Sequence, residues 1–254
     1  MRKHVLRSNR LAGLIVLCLA NLASAAPAGV KDDVPDMASS QIIQHYLSAQ
    51  QSHEDSLRGA SMQVEIEAAV PGLKEHGRLH ALRKISKVGS VTYHVLSFQG
   101  DSSVKKDVIA RYLQAEQQGQ GDQRLAITPD NYKFKYKGEN TADNGQPVYV
   151  FQLSPRSKKV GLFKGTLWLD AKTYLAVMYK GRLVKNPSIF FKKVDFERDF
   201  KVQNGMTIPT RMSSTIDVRL IGKVELSINY SDFEQNGAET DEPQSAVLAG
   251  QASQ

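Results

Sequence analysis

The six histidines are the residues best suited to hold a metal or move a proton near neutral pH, and their spacing supports neither role. His4 lies at the extreme N-terminus, His45 and His53 in a helical stretch, and His76, His80 and His94 among strand-like segments. No H-E-x-x-H occurs. His76 and His80 stand four apart at a turn and the start of a strand, on one face but separated along it, which suits solvated histidines better than a metal site. Serines are plentiful, yet no G-x-S-x-G elbow exists, and the strand-turn-helix it needs is missing from the second half. Glu65 and Glu67 sit on the polar side of an alternating segment. Asp195, Glu197 and Asp199 alternate with Val194, Phe196, Arg198 and Phe200. Both sets read as wet strand faces rather than a paired acid and base. Gly161, Gly165 and Gly181 are scattered among strands, where glycine marks a turn or bulge rather than a phosphate loop. The reading is of a non-enzyme without metal or cofactor.

One charge pattern stands out. Arg156, Lys158, Lys159 and Lys164 cluster, with Lys185, Lys192 and Lys193 further on. If hairpin loops bring them together they form a basic rim for anionic lipid headgroups or an acidic partner; otherwise they are solubilising loop residues.

The elements that position these residues begin after an export signal. Arg2, Lys3, Arg7 and Arg10 precede the apolar run Leu11 to Ala20, which ends in Ala23-Ser24-Ala25. The run is shorter than the roughly 20 residues a membrane span needs, so residues 1–25 read as a cleaved signal peptide and the protein as periplasmic. Cys18, preceded by Leu17 rather than a small residue, fills the apolar run, and no other cysteine exists to form a disulfide. The whole chain has 33 bases and 26 acids, for +7; the four bases of the signal leave 29 against 26, or +3. That balance gives no reason to expect nucleic acid. Residues 26–36 read as a flexible leader, 37–234 as one domain and 235–254 as a polar, disordered tail.

Within the domain, Ser39 and Ser40 start a helix reaching Gln51, with Ile42, Ile43, Tyr46 and Leu47 as its apolar stripe. A second helix follows Ser103, with Val104, Val108, Ile109, Tyr112 and Leu113, and ends near Gly119 and Gly121. Everything else alternates with period two: residues 62–68, 79–88, 91–98, 132–137, 147–154, 165–170, 174–184, 194–202, 207–213, 216–220 and 224–230 read as strands. The fold class is mainly β (α+β): a curled antiparallel sheet forming an unclosed half-barrel of about ten or eleven strands, covered by two or three helices. A sheet with one dry face must be closed or covered. The helices then cover its mouth and leave an apolar cavity.

Several segments resemble the lipoprotein-carrier (LolA/LolB-like) superfamily: Leu153-Ser154-Pro155-Arg156, Gly165-Thr166-Leu167-Trp168-Leu169-Asp170 before Thr173-Tyr174-Leu175-Ala176-Val177, and Val202-Gln203-Asn204-Gly205-Met206-Thr207-Ile208-Pro209. The resemblance covers residues 40 to 233 in architecture and 147 to 233 in pattern. Val108 to Leu113 and Ile127 to Tyr132 look like its periplasmic, outer-membrane lipoprotein-sorting-like members rather than its dedicated carriers. It implies an open barrel lidded by helices, with a cavity for lipid acyl chains or a lipoprotein. Each methylene removed from water contributes about 0.8 kcal/mol, so holding such chains needs no reactive group. Val64, Ile66, Phe134, Leu167, Leu169, Val218, Leu226 and Ile228 are the expected cavity lining. The alternative is an envelope-stress sensor or interaction module with the same half-barrel, working through a membrane-bound partner protein.

Overall fold

The computed structural model describes residues 37–119 and 121–235. The expected signal peptide, the leader and most of the expected tail lie outside the described residues. Gln235, the first residue of that tail, closes the last strand.

A long helix, α1 (Met37–Ser56), leads into β1 (Ala60–Val70) and β2 (Glu75–Ile85), joined by a 3-10 turn at Pro71–Leu73. After β3 (Val91–Gly100), α2 (Ser102–Val104) passes through a π-helical turn (Lys105–Ile109) into α3 (Ala110–Gly119). Seven strands complete the order: β4 (Tyr132–Thr141), β5 (Pro147–Pro155), β6 (Phe163–Asp170), β7 (Ala176–Leu183), β8 (Phe191–Gln203), β9 (Met206–Val218) and β10 (Gly222–Gln235). They form one antiparallel sheet in the order β3-β2-β1-β10-β9-β8-β7-β6-β5-β4. β3 and β4 are its free edges, so the sheet is an unclosed half-barrel, and the pairing of β1 with β10 joins its two halves.

The ten strands agree with the ten or eleven expected; of the eleven segments, 207–213 and 216–218 belong to one strand, β9, and residues 219–220 lie in the turn that follows it. Ser213-Ser214-Thr215 interrupts the apolar alternation, but β8 and β10 pair with these residues from both sides. β2 starts earlier than expected and carries both His76 and His80. β7 starts later, at Ala176, because Asp170 closes a turn first: its carboxylate accepts hydrogen bonds from the Lys172 and Thr173 N–H groups and the Thr173 hydroxyl. Tyr174 takes a left-handed conformation there.

Alternation puts one face of every strand toward the helices. Residues paired through nine registers form a cross-sheet row, one per strand: Phe98, Leu79, Ile66, Ile228, Met212, Arg198, Tyr179, Leu167, Phe151 and Tyr136. Arg198 is its single charged member. The inner face nevertheless divides into two cores. In the first, α2 to α3 places Val104 and Ile109 against Ile66, Leu79, Leu226 and Ile228. In the second, α1 places Ile42, Ile43 and Tyr46 against Phe151, Leu153, Leu167 and Leu169. Burial of each such aliphatic side chain contributes about 1.5–3 kcal/mol. Met212 belongs to the first core, and Tyr179 packs against the second. The cores therefore meet at Arg198.

The far end of α1 is pinned by hydrogen bonds from the Gln235 side chain to the Ser56 carbonyl, at 2.9 Å, and from the Thr207 N–H to Nδ1 of His53, at 3.2 Å. Burial lowers the His53 pKa. A neutral ring is needed to accept this bond. The linked stability is present above the unfolded histidine value of about 6.5 and is lost as pH falls through the lower folded value. Melting temperature measured from pH 7.5 to 5 is expected to fall more steeply for the native chain than for His53→Gln, whose amide oxygen still accepts; superimposable profiles would exclude His53 as the cause.

Candidate functional site

Three regions gather the residues singled out by sequence. The first is the inner face, whose expected lining is divided between the two cores. Val64, Ile66, Leu226 and Ile228 lie in the first core, with Val218 packed against it; Leu167 and Leu169 lie in the second, with Phe134 beside it. Six of the eight are less than 5% exposed. α1 and α3 thus rest directly on these side chains, and a ligand reaches them only when a helix moves away. The π-helical turn between α2 and α3 is the kind of irregularity that accompanies functional sites in helices.

The second region is the outer face, where the carboxylates are ion-paired. Arg78 bridges Glu65 and Glu67, Arg182 and Lys193 hold Asp195, and Lys180 meets Glu197 at 3.4 Å. An open groove of about 820 Å³ runs here, lined by Lys158, Lys164, Lys180, Arg182, Asp195 and Glu197, among others. A second groove of about 590 Å³ crosses Glu67, Arg78, Ser213 and Glu225. Both lie on the wet face. Among the described residues no group of three or more histidine, cysteine or acidic side chains is arranged to hold a metal.

The third region is one end of the half-barrel. Strand direction places the turns β1–β2 (residues 71–74), β5–β6 (156–162), β7–β8 (184–190) and β9–β10 (219–221) together at that end. They touch in series. A Cβ on Gly72 would lie 2.8 Å from the Ile221 carbonyl oxygen. The Arg219 N–H and guanidinium donate to the carbonyls of Phe190 and Ile189, and the Val184 N–H donates to Leu162. These turns expose Leu73, Val160, Ile189, Phe190 and Leu220, five of the nine exposed large hydrophobic residues among those described; Ile189 and Leu220 are 81% and 84% exposed. They also carry six bases, Lys74, Arg156, Lys158, Lys159, Lys185 and Arg219, and no acid. The turns at the opposite end expose only Val88.

Of the expected basic rim, Lys158 and Lys159 thus stand on this apolar-tipped end. Arg156 is there too, but its guanidinium donates to the Pro129 carbonyl at 2.6 Å and so also fastens the loop before β4. Lys164, the second residue of β6, faces the outer groove. The five apolar tips were not singled out in the sequence. Their signal was an exposed apolar residue beside a base in alternate turns of a meander.

No family model matches the chain. No curated protein matches it either. Among solved structures it is similar to a DUF1329 family protein from Desulfovibrio piger, at 10% identity and a TM-score of 0.42, covering 80% of this chain and 95% of that one. It is also similar to a Vibrio parahaemolyticus domain assigned to outer membrane lipoprotein sorting (15%, TM-score 0.40, covering 76% and 92%) and to a LolA superfamily protein from Nitrosomonas europaea (14%, TM-score 0.34, covering 76% and 94%).

Proposed function

We propose that the chain is an exported, non-catalytic lipid carrier that docks on an anionic membrane surface and takes an acyl chain against its inner face. The observation that carries this reading is the set of four hairpin turns described above, which bear five exposed apolar side chains and six bases but no acid, the acids of that end lying in the neighbouring segments at Glu75, Asp101, Asp122 and Asp130. Apolar residues rimmed by cations suit an interface in which side chains enter the acyl boundary while lysines meet headgroups. From that end the connection through α2 and α3 crosses the inner face, so a helix able to lift stands beside the docking surface. The sheet beneath supplies apolar contact on every strand, with Phe196 flanking Arg198 on β8, and its free edges let the half-barrel widen without breaking a closed ring of hydrogen bonds.

Vesicle co-sedimentation tests the docking step. The full chain is expected to bind phosphatidylcholine vesicles containing 30% phosphatidylglycerol, to release them as salt rises, and to bind pure phosphatidylcholine weakly. The double substitution Ile189→Asp with Leu220→Asp should abolish sedimentation without changing the melting temperature, since both side chains are already in water. Equal sedimentation of native and doubly substituted chains would overturn the assignment of this end.

A further inference from the structure

The row of inner-face residues is interrupted once by charge, and the interruption belongs to a larger polar cluster. Arg198 on β8 donates to the Tyr112 hydroxyl on α3 at 3.4 Å. Arg83 on β2 also faces inward; its guanidinium reaches Tyr93 at 3.2 Å and Glu116 of α3 at 3.5 Å. The Tyr93 hydroxyl donates to the other Glu116 oxygen at 2.6 Å. The Arg83 and Glu116 side chains are only 9% and 10% exposed. Burial alone would raise the Glu116 carboxyl, but Arg198 first and then Arg83, with hydrogen bonds from Tyr93 and Tyr112, outweigh it and hold the group ionised below its usual range. Tyr179 foremost, with Tyr112, Tyr230 and Glu116, keeps Arg198 protonated against its own burial.

Arg83 on the sheet therefore pairs directly with the carboxylate, Arg198 stands behind it through the Tyr112 hydroxyl, and that carboxylate is carried on the helix that must move. When α3 lifts, Glu116 leaves with it while Arg83 and Arg198 remain on β2 and β8. Removing one partner from a buried ion pair is strongly unfavourable, because the other charge is left uncompensated. A neutral ligand would leave this deficit in place. A ligand with a negative group would fill it.

We propose that Arg198 and Arg83, ringed by the hydroxyls of Tyr93, Tyr112, Tyr179 and Tyr230, bind the carboxylate or phosphate of an amphiphilic ligand, which exchanges for Glu116 as α3 lifts. This rests on the lipid-carrier reading and narrows its cargo to anionic single-headed amphiphiles. The hydrocarbon lies along the apolar row on either side of Arg198. Glu116 closes the empty protein and competes with the cargo. Substitutions at the lid acid and the sheet base therefore have opposite effects.

The test compares three sixteen-carbon ligands on the full chain: palmitate, hexadecyl phosphate and hexadecanol, measured by displacement of a fluorescent fatty-acid probe. At least one anion is expected to bind about tenfold or more tighter than the alcohol, the scale of a charge-assisted pair. Which anion leads identifies carboxylate or phosphate as the headgroup. Arg198→Met, which leaves Glu116 paired with Arg83 and is used only if its melting transition shows a retained fold, should erase most of the preference and bind hexadecanol no more weakly than the native chain does. Glu116→Gln, which weakens the closed empty state, should tighten the binding of all three ligands. Equal binding of all three ligands, or a preference that survives Arg198→Met, overturns the anion site while leaving the carrier reading intact. Failure of all three to bind the native chain overturns both.

Discussion

Gly165→Ala is expected to be the most damaging single-methyl change in the sheet. Gly165 on β6 pairs with Gly181 on β7, and a Cβ at position 165 would stand 1.9 Å from the Lys180 carbonyl oxygen and 2.7 Å from the Gly181 Cα. The obstacle is backbone, so no rotamer change relieves it. Gly181 is similarly hemmed in by the Lys164 carbonyl, at 2.4 Å from its own added Cβ, with the Phe163 ring alongside. Two neighbouring strands approach closely here because neither has a side chain. Forcing them apart disrupts β6–β7 pairing beneath the second core. A loss above about 4 kcal/mol, at the exceptional end for point changes, is expected in urea unfolding. Gly119→Ala, with nothing within 4 Å of its added Cβ, should stay within about 0.5 kcal/mol of the native chain. Comparable stability of the two variants would show that the close approach is dispensable.

The second large effect is at Phe151, fully buried in the second core with its ring against Phe134 and Tyr136. Phe151→Ala removes a ring that three elements enclose, and should cost about 3–5 kcal/mol. For a domain of this size that corresponds to a fall of roughly 6–20 °C in melting temperature. Ile66→Ala in the first core should cost about 2–5 kcal/mol. The two sites are six strands apart, roughly 29 Å along the sheet, and share no core. Their combined cost should therefore equal the sum within about 0.5 kcal/mol. A large coupling energy would contradict the division into two cores.

That division also marks how far sequence reasoning reached. Period-two alternation in segments such as Tyr132-Lys133-Phe134-Lys135-Tyr136 identified the strands, because each puts one face in water. The stripe Ile42, Ile43 and Tyr46 identified α1 by the same logic at helical spacing. What each stripe lies against was not legible. α1 covers β4 to β7 while α2 and α3 cover β1 to β3, an assignment set by the β1–β10 pairing across more than 150 residues of chain. The serine-threonine run in β9 hid the strand's continuity, because its neighbours rather than its own pattern hold it in the sheet.

Arg198 was legible in one respect only. It alternates in phase with Val194, Phe196 and Phe200, which already places it on their face of β8. Its partners come from α3, β7 and β10, so no local pattern could say that an inward arginine has a shared carboxylate. The basic turns were visible as a cluster in the β5–β6 segment alone. Their union with Leu73, Ile189, Phe190 and Leu220 depends on which turns share an end, and strand direction decides that.

The account turns on which face of the sheet holds the chain, and photo-crosslinking settles this most directly. A palmitate carrying a terminal diazirine, irradiated with the full chain and mapped by peptide mass spectrometry, is expected to label inner-face residues such as Ile66, Leu167, Met212 and Ile228, with excess palmitate suppressing the label. Labelling confined to the outer groove around Lys180 and Glu197, or none above an unfolded control, would contradict the account.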